Sequence, residues 1–133
     1  MSQENVEIVR RAYEAFGRGD LDAAVADADP NVEYVPSGAL PDQGDVARGS
    51  EEYKRFISWL FDVFDEARLE PTELVDAGDR VLGGFTVSGR GKQSGIDTSW
   101  TLWQVWTLQD GRLVHGRGFT TREDALEAVG LSE

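Results

Sequence analysis

Residues 98–108 read TSWTLWQVWTL. Successive side chains of a strand point to opposite faces, so the run divides by parity. Thr98, Trp100, Leu102, Gln104, Trp106 and Leu108 share one face, and Ser99, Thr101, Trp103, Val105 and Thr107 share the other. The first row is largely apolar and predicts a strand covered by helices. Gln104 interrupts it, and a buried amide left unpaired costs about 1–3 kcal/mol, so a partner is required. Two readings are open. Gln104 points into a ligand pocket walled by Trp100, Trp106 and a long helix, or a neighbouring side chain or buried water satisfies it. The second row sets Trp103 and Val105 among hydroxyl residues. That is too apolar for a solvated face and too polar for a core, and it predicts a homodimer through the face bearing Trp103 and Val105.

Working outward, turn signals at Gly78-Asp79, 91–95 and Asp110-Gly111 separate four alternating runs, roughly 68–75, 80–90, 97–108 and 112–120. Connections this short predict an antiparallel meander, and Pro71 suits an edge or a bulge in its first strand. In the last strand Gly116 and Gly118 either leave volume beside Gln104 or relieve a bend, and one bulge would reverse the parity that decides between them. Upstream the period is helical. Val6, Val9, Tyr13 and Phe16 form the apolar stripe of a helix over 4–17. Asp20 caps a second helix carrying Leu21, Ala24, Val25 and Ala28, which ends before Pro30. A short strand at 31–35 and a polar loop at 36–49 follow. Ser50 then caps a long helix whose apolar positions, Tyr53, Phe56, Ile57, Trp59, Leu60, Phe61, Val63 and Phe64, are too many for one stripe. One side packs on the sheet while another lines a cavity. Thr121 opens a terminal helix with Leu126 and Val129 inward and Gly130 as its stop. The order predicts a single α+β domain over 1–133, with helices laid on one face of a curved antiparallel sheet.

Composition narrows the function. The chain has 133 residues, no cysteine, and a net charge of −12. An acid excess of that size argues against nucleic acid and anionic membrane as partners. The lack of cysteine excludes disulfides and thiolate chemistry. Residues 1–10 carry neither a basic nor an apolar leader segment, and no run approaches about 18 apolar residues, which predicts a soluble, cytoplasmic protein. His115 is the sole histidine, and no carboxylate near it in sequence would orient it as a base, so it reads as an interface or surface residue. No cluster has metal-ligand spacing, so no metal site is expected. Gly83-Gly84 and Gly89-Arg90-Gly91 are not followed by a helix, as a phosphate loop would be. Arg48 reads as a solvated loop residue, with a lid cation as the alternative.

The stretches NVEIVRRAYEAFGRGDLDAAVADADPNVEY, ARGSEEYKRFISWL, VDAGDRV, WTLQDGRLV and TREDALEAVGL together resemble the SnoaL-like branch of the nuclear transport factor 2-like superfamily. The resemblance implies a cone-shaped α+β barrel, with three helices from the N-terminal half on its concave face, one deep pocket, and dimers formed through the outer sheet face. It also implies polyketide cyclase, steroid isomerase or epoxide hydrolase chemistry. The cyclase aspartate would fall on Thr121, which looks like a helix cap. The steroid isomerase acids would fall on Tyr34 and Gln104, and its tyrosine on Ala12, and none of these matches. The expectation is therefore a small-molecule-binding protein with an aromatic-walled pocket near Tyr13, Tyr34, Trp59, Trp100, Gln104, Trp106 and Gly118. Its ligand is a small apolar or aromatic molecule. An enzyme on this frame would be a cofactor-independent isomerase, cyclase or hydrolase with Gln104 and Tyr34 as candidate catalytic residues; the alternative is a non-catalytic binding or dimerisation module.

Overall fold

The computed structural model describes residues 2–37 and 46–130. Along them run α1 (Ser2–Gly17), α2 (Leu21–Ala24), β1 (Ala28–Val35), β2 (Ala47–Arg48), α3 (Ser50–Val63), β3 (Phe64–Ala77), β4 (Arg80–Gly91), β5 (Asp97–Gln109), β6 (Arg112–Phe119) and α4 (Arg122–Ala128). Most of the 36–49 loop, residues 38–45, lies outside the described residues.

The stripe of α1 buries Val9 and Tyr13, while Glu7 and Arg10 pair on its exposed side. Asp20 caps α2 by accepting the Ala23 N–H at 3.1 Å. That helix is only four residues long, and Ala28 is the first residue of β1 instead of a helical position. The chain has to turn into the sheet before Pro30, which supplies no N–H to a helix. The cap of α3 also differs from expectation. Gly49, at φ 89, is the capping residue without a side-chain bond, and Ser50 is already helical. The Glu52 carboxylate reaches back to the Arg48 N–H at 3.1 Å. Phe64, expected in this helix, opens β3.

The four meander strands pair antiparallel as expected, in the sheet order β2-β1-β6-β5-β4-β3. β1 joins β6 in parallel, and the two-residue β2 pairs on its far side. β2 and β3 are thus edges, so the curved sheet does not close into a barrel and is not wholly antiparallel. Pro71 stands on the β3 edge, beside a register shift between Pro71 and Glu73, where a missing N–H costs the ladder nothing.

The two faces of β5 divide as parity predicts. Trp106 and Leu108 lie in the main core with Val9, Tyr13, Ile57, Leu60, Val81, Phe85 and Val87, beneath α1 and α3. Val105 faces the other way, into a smaller core with Leu82, Ala125, Leu126 and Val129. α4 therefore covers the sheet face opposite the other helices, and the expectation that helices lie on one face holds only for α1–α3. The side chain of Thr121 caps α4 by accepting the Asp124 N–H at 3.1 Å. Arg122 grips Glu73 on β3 through two bonds of 2.8 and 2.9 Å.

Candidate ligand pocket

Gln104 stands on the inner face of β5, 7% exposed, opposite Gly83 of β4 and Gly118 of β6. Its Oε1 accepts two bonds, from the Tyr13 hydroxyl at 2.8 Å and from Trp106 Nε1 at 2.9 Å, and its Nε2 donates to the Tyr34 hydroxyl at 2.8 Å. An indole N–H can only donate, so the amide atom facing Trp106 is the oxygen and the orientation of the amide is forced. Tyr34 must then accept from Gln104, which leaves its own hydroxyl proton to donate elsewhere. The structure answers with the second of the two readings. Neighbouring side chains bond it, and it also lines a cavity.

Glycines make this arrangement possible. A Cβ on Gly83 would stand 2.3 Å from the Tyr13 hydroxyl, and one on Gly118 would stand 2.9 Å from that of Tyr34. Each phenol reaches Gln104 across a strand position without a side chain. Gly116 leaves the same space for the Trp106 ring, so both β6 glycines face inward. A register shift between Thr107 and Leu108 lets Leu113 face inward as well, despite its opposite parity.

Beside the amide lies a cavity of about 60 Å³. Tyr34, Ser37, Gln104 and Gly118 bound it, with Phe16, Phe56, Ile57, Trp59 and Leu60 from the helices and Phe85, Val87, Trp100, Leu102 and Trp103 from the sheet. It is smaller than the roughly 150 Å³ cavity that takes benzene. Among the described residues none of its lining side chains is an Asp, Glu, His, Lys or Arg. Tyr13 and Trp106, expected in the same wall, lie behind Gln104 and line a second space of about 10 Å³. The five other expected residues, Tyr34, Trp59, Trp100, Gln104 and Gly118, border the larger cavity. Phe16, Ser37, Phe85, Val87, Leu102 and Trp103 do so without having been expected, Trp103 although its parity puts it on the outer face. Gly83 carried a usable signal, since a glycine inside a strand marks close approach by something else.

Burial pushes the Tyr34 phenol well above its ordinary value, against the smaller pull of the Gln104 N–H. Burial likewise raises Tyr13 and Tyr53. Tyr34 therefore stays protonated in neutral solution. Tyr53, Phe56 and Trp106 hold its ring at centroid distances of 5.4, 5.3 and 5.5 Å. Among the described residues, one buried side-chain atom in this region stands without a partner. It is Nε1 of Trp100, and such an atom costs about 1–3 kcal/mol. His115 lies outside the pocket lining, on β6 opposite Thr107. Arg48 is exposed and paired with Glu33 at 3.3 Å.

The SnoaL-like domain family model matches residues 9–116. No curated protein matches the chain. Among solved structures, a nuclear transport factor 2-like protein of Burkholderia thailandensis is 26% identical, with 96% of this chain and 97% of that one covered and a TM-score of 0.79. A protein from Jannaschia assigned as a candidate SnoaL-like polyketide cyclase is 20% identical, with coverages of 99% and 95% and a TM-score of 0.77. AclR of Streptomyces galilaeus, a hydroxylase candidate, is 18% identical, with 98% of each chain covered and a TM-score of 0.75. The last two likenesses show the fold alone.

Proposed function

This chain belongs to the SnoaL-like domain family, and we propose that its pocket binds a small, flat, largely apolar molecule whose carbonyl oxygen accepts the Tyr34 hydroxyl proton. The observation that carries this reading is the forced orientation of Gln104, which makes Tyr34 an acceptor toward the protein and a donor toward the cavity. Aromatic walls suit a flat ligand, and the absence of charged lining residues among the described residues suits an uncharged one. A ring-sized ligand requires the cavity to widen beyond its volume of about 60 Å³.

As an enzyme, the protein would run a cofactor-free isomerisation, cyclisation or hydrolysis, with the Tyr34–Gln104 pair stabilising negative charge as it develops on the carbonyl oxygen. A second reading, binding without turnover, is favoured by the uncharged lining. Enolisation needs a positioned base, and the described lining residues supply no carboxylate or imidazole. Tyr34→Phe and Gln104→Ala, assayed for turnover and affinity against carbonyl compounds, separate the two. Catalysis predicts that turnover falls well beyond binding, whereas a binding module loses affinity alone. Unchanged affinity in Tyr34→Phe overturns both.

We also infer a homodimer through the outer sheet face near Trp103. Val105 is buried under α4 of its own chain, so the contact falls on Trp103 and Phe119, both half-buried, and on the hydroxyls of Thr86 and Thr101, which meet at 3.3 Å.

A further inference from the structure

Tyr34 is one polar fixture of the pocket; Trp100 is another. The N–H of Trp106 meets Gln104 at 2.9 Å. The same atom of Trp100 is buried without a hydrogen-bond partner among the described residues, although the Trp100 side chain lines the cavity beside Leu102 and Trp59. The ring packed against it, Phe64 at a centroid distance of 5.4 Å, offers no acceptor. A buried polar group without a partner calls for an explanation, and here the group is one that can only give a hydrogen bond. Trp100 and Gln104 share the inner face of β5 four positions apart, which sets their backbones about 13 Å apart. Leu102 lies between them on that face, and Phe85 and Val87 stand on the neighbouring strand. The polar side chains at the two ends of this apolar wall, Tyr34 with Gln104 and Trp100, both carry donors, the Trp100 Nε1 being enclosed by the wall it belongs to.

We propose that Trp100 is the second recognition point of the pocket. Its occupant is a flat molecule with two acceptor oxygens, one on the Tyr34 hydroxyl and one on Trp100 Nε1, with an apolar ring between them. This rests on the reading of Tyr34 given above and extends it from any carbonyl compound to a dicarbonyl-like class. A molecule ending in an ammonium or another obligate donor cannot accept from the Trp100 N–H, gains nothing there, and binds more weakly than one ending in an acceptor.

Two probes of nearly equal shape test this on the full chain. 1,4-Diacetylbenzene carries both acceptors. 4-Isopropenylacetophenone replaces one carbonyl oxygen by a methylene and keeps the other acetyl for Tyr34. By calorimetry the wild type is expected to bind the first about fivefold more tightly, and Trp100→Phe, which keeps an aromatic ring, is expected to bind the two equally. The indole N–H resonance missing from the spectrum of Trp100→Phe is expected to move downfield in the wild type with 1,4-diacetylbenzene alone. Equal affinities in the wild type with an unmoved Trp100 resonance overturn the role of Trp100 and leave that of Tyr34 standing. Failure of both probes to bind, or undiminished affinity for both in Tyr34→Phe, overturns the Tyr34 reading and this inference with it.

Discussion

Gln104 takes two hydrogen bonds on one oxygen and gives one from its nitrogen, and the cost of substitutions around it follows from who is left unpaired. Gln104→Leu removes the acceptor shared by the Tyr13 hydroxyl and the Trp106 N–H, which keep only each other, an expected loss of about 2–3 kcal/mol in urea unfolding. Tyr13→Phe leaves Oε1 still bonded to Trp106 and is expected to cost no more than about 1.5 kcal/mol. The reverse order of these two would mean that the amide is turned the other way. Tyr34→Phe strands the Gln104 Nε2, so it is expected to cost about 1–3 kcal/mol of stability and, in the folded protein, to reduce binding of an acetyl-bearing probe by about fivefold to tenfold. Which face Gln104 occupies was legible from the alternation of 98–108. Its partners were not, because Tyr13 and Tyr34 lie 91 and 70 positions away and periodicity carries no information at that range.

At the scale of elements, the meander and both long helices could be read from their periods. The misread pieces are short or depend on tertiary pairing. The two residues of β2 are too few to show alternation, and the four-residue α2 gives way to β1 because β6 is there to pair with it. The amphipathic pattern of α4 said that Leu126 and Val129 face inward but not which side of the sheet they cover. The contacts of Ala125, Leu126 and Val129 with Leu82 and Val105 seat α4 on that side, and Arg122 pairs with Glu73 beside them. Arg122 holds the Glu73 carboxyl below its ordinary value near 4.5, so this stabilisation is present above that value and lost as pH falls through the lower folded value. Amide protection in α4 is therefore expected to weaken below about pH 4 in the wild type. Glu73→Gln should remove that pH dependence and cost about 0.5–1 kcal/mol at neutral pH, given how exposed the pair is. An unchanged acid profile in Glu73→Gln would assign the docking of α4 to its apolar contacts alone.

The molecule as a whole carries three buried phenols, Tyr13, Tyr34 and Tyr53, each raised above the ordinary value of 10.0 mainly by burial. The sign is that of groups stable as neutral species when folded: the stabilisation is complete below about pH 10 and is lost as pH rises beyond it. The urea midpoint is expected to stay level from pH 7 to about 9.5 and to fall steeply above 10, less steeply in Tyr53→Phe. Native mass spectrometry is expected to give twice the 14.7 kDa chain mass, and Trp103→Arg to shift the population to single chains; a wild-type monomer would remove the dimer. The parallel pairing of β1 with β6 also has a consequence for synthesis. Ala28 lies beside Leu113, so the partner of β1 is made only after most of the chain. At about 5–20 residues added per second, an emerging β1 waits on the order of ten seconds with that edge unpaired. During this interval the nascent chain offers a binding edge to chaperones, and to neighbouring copies on the same message.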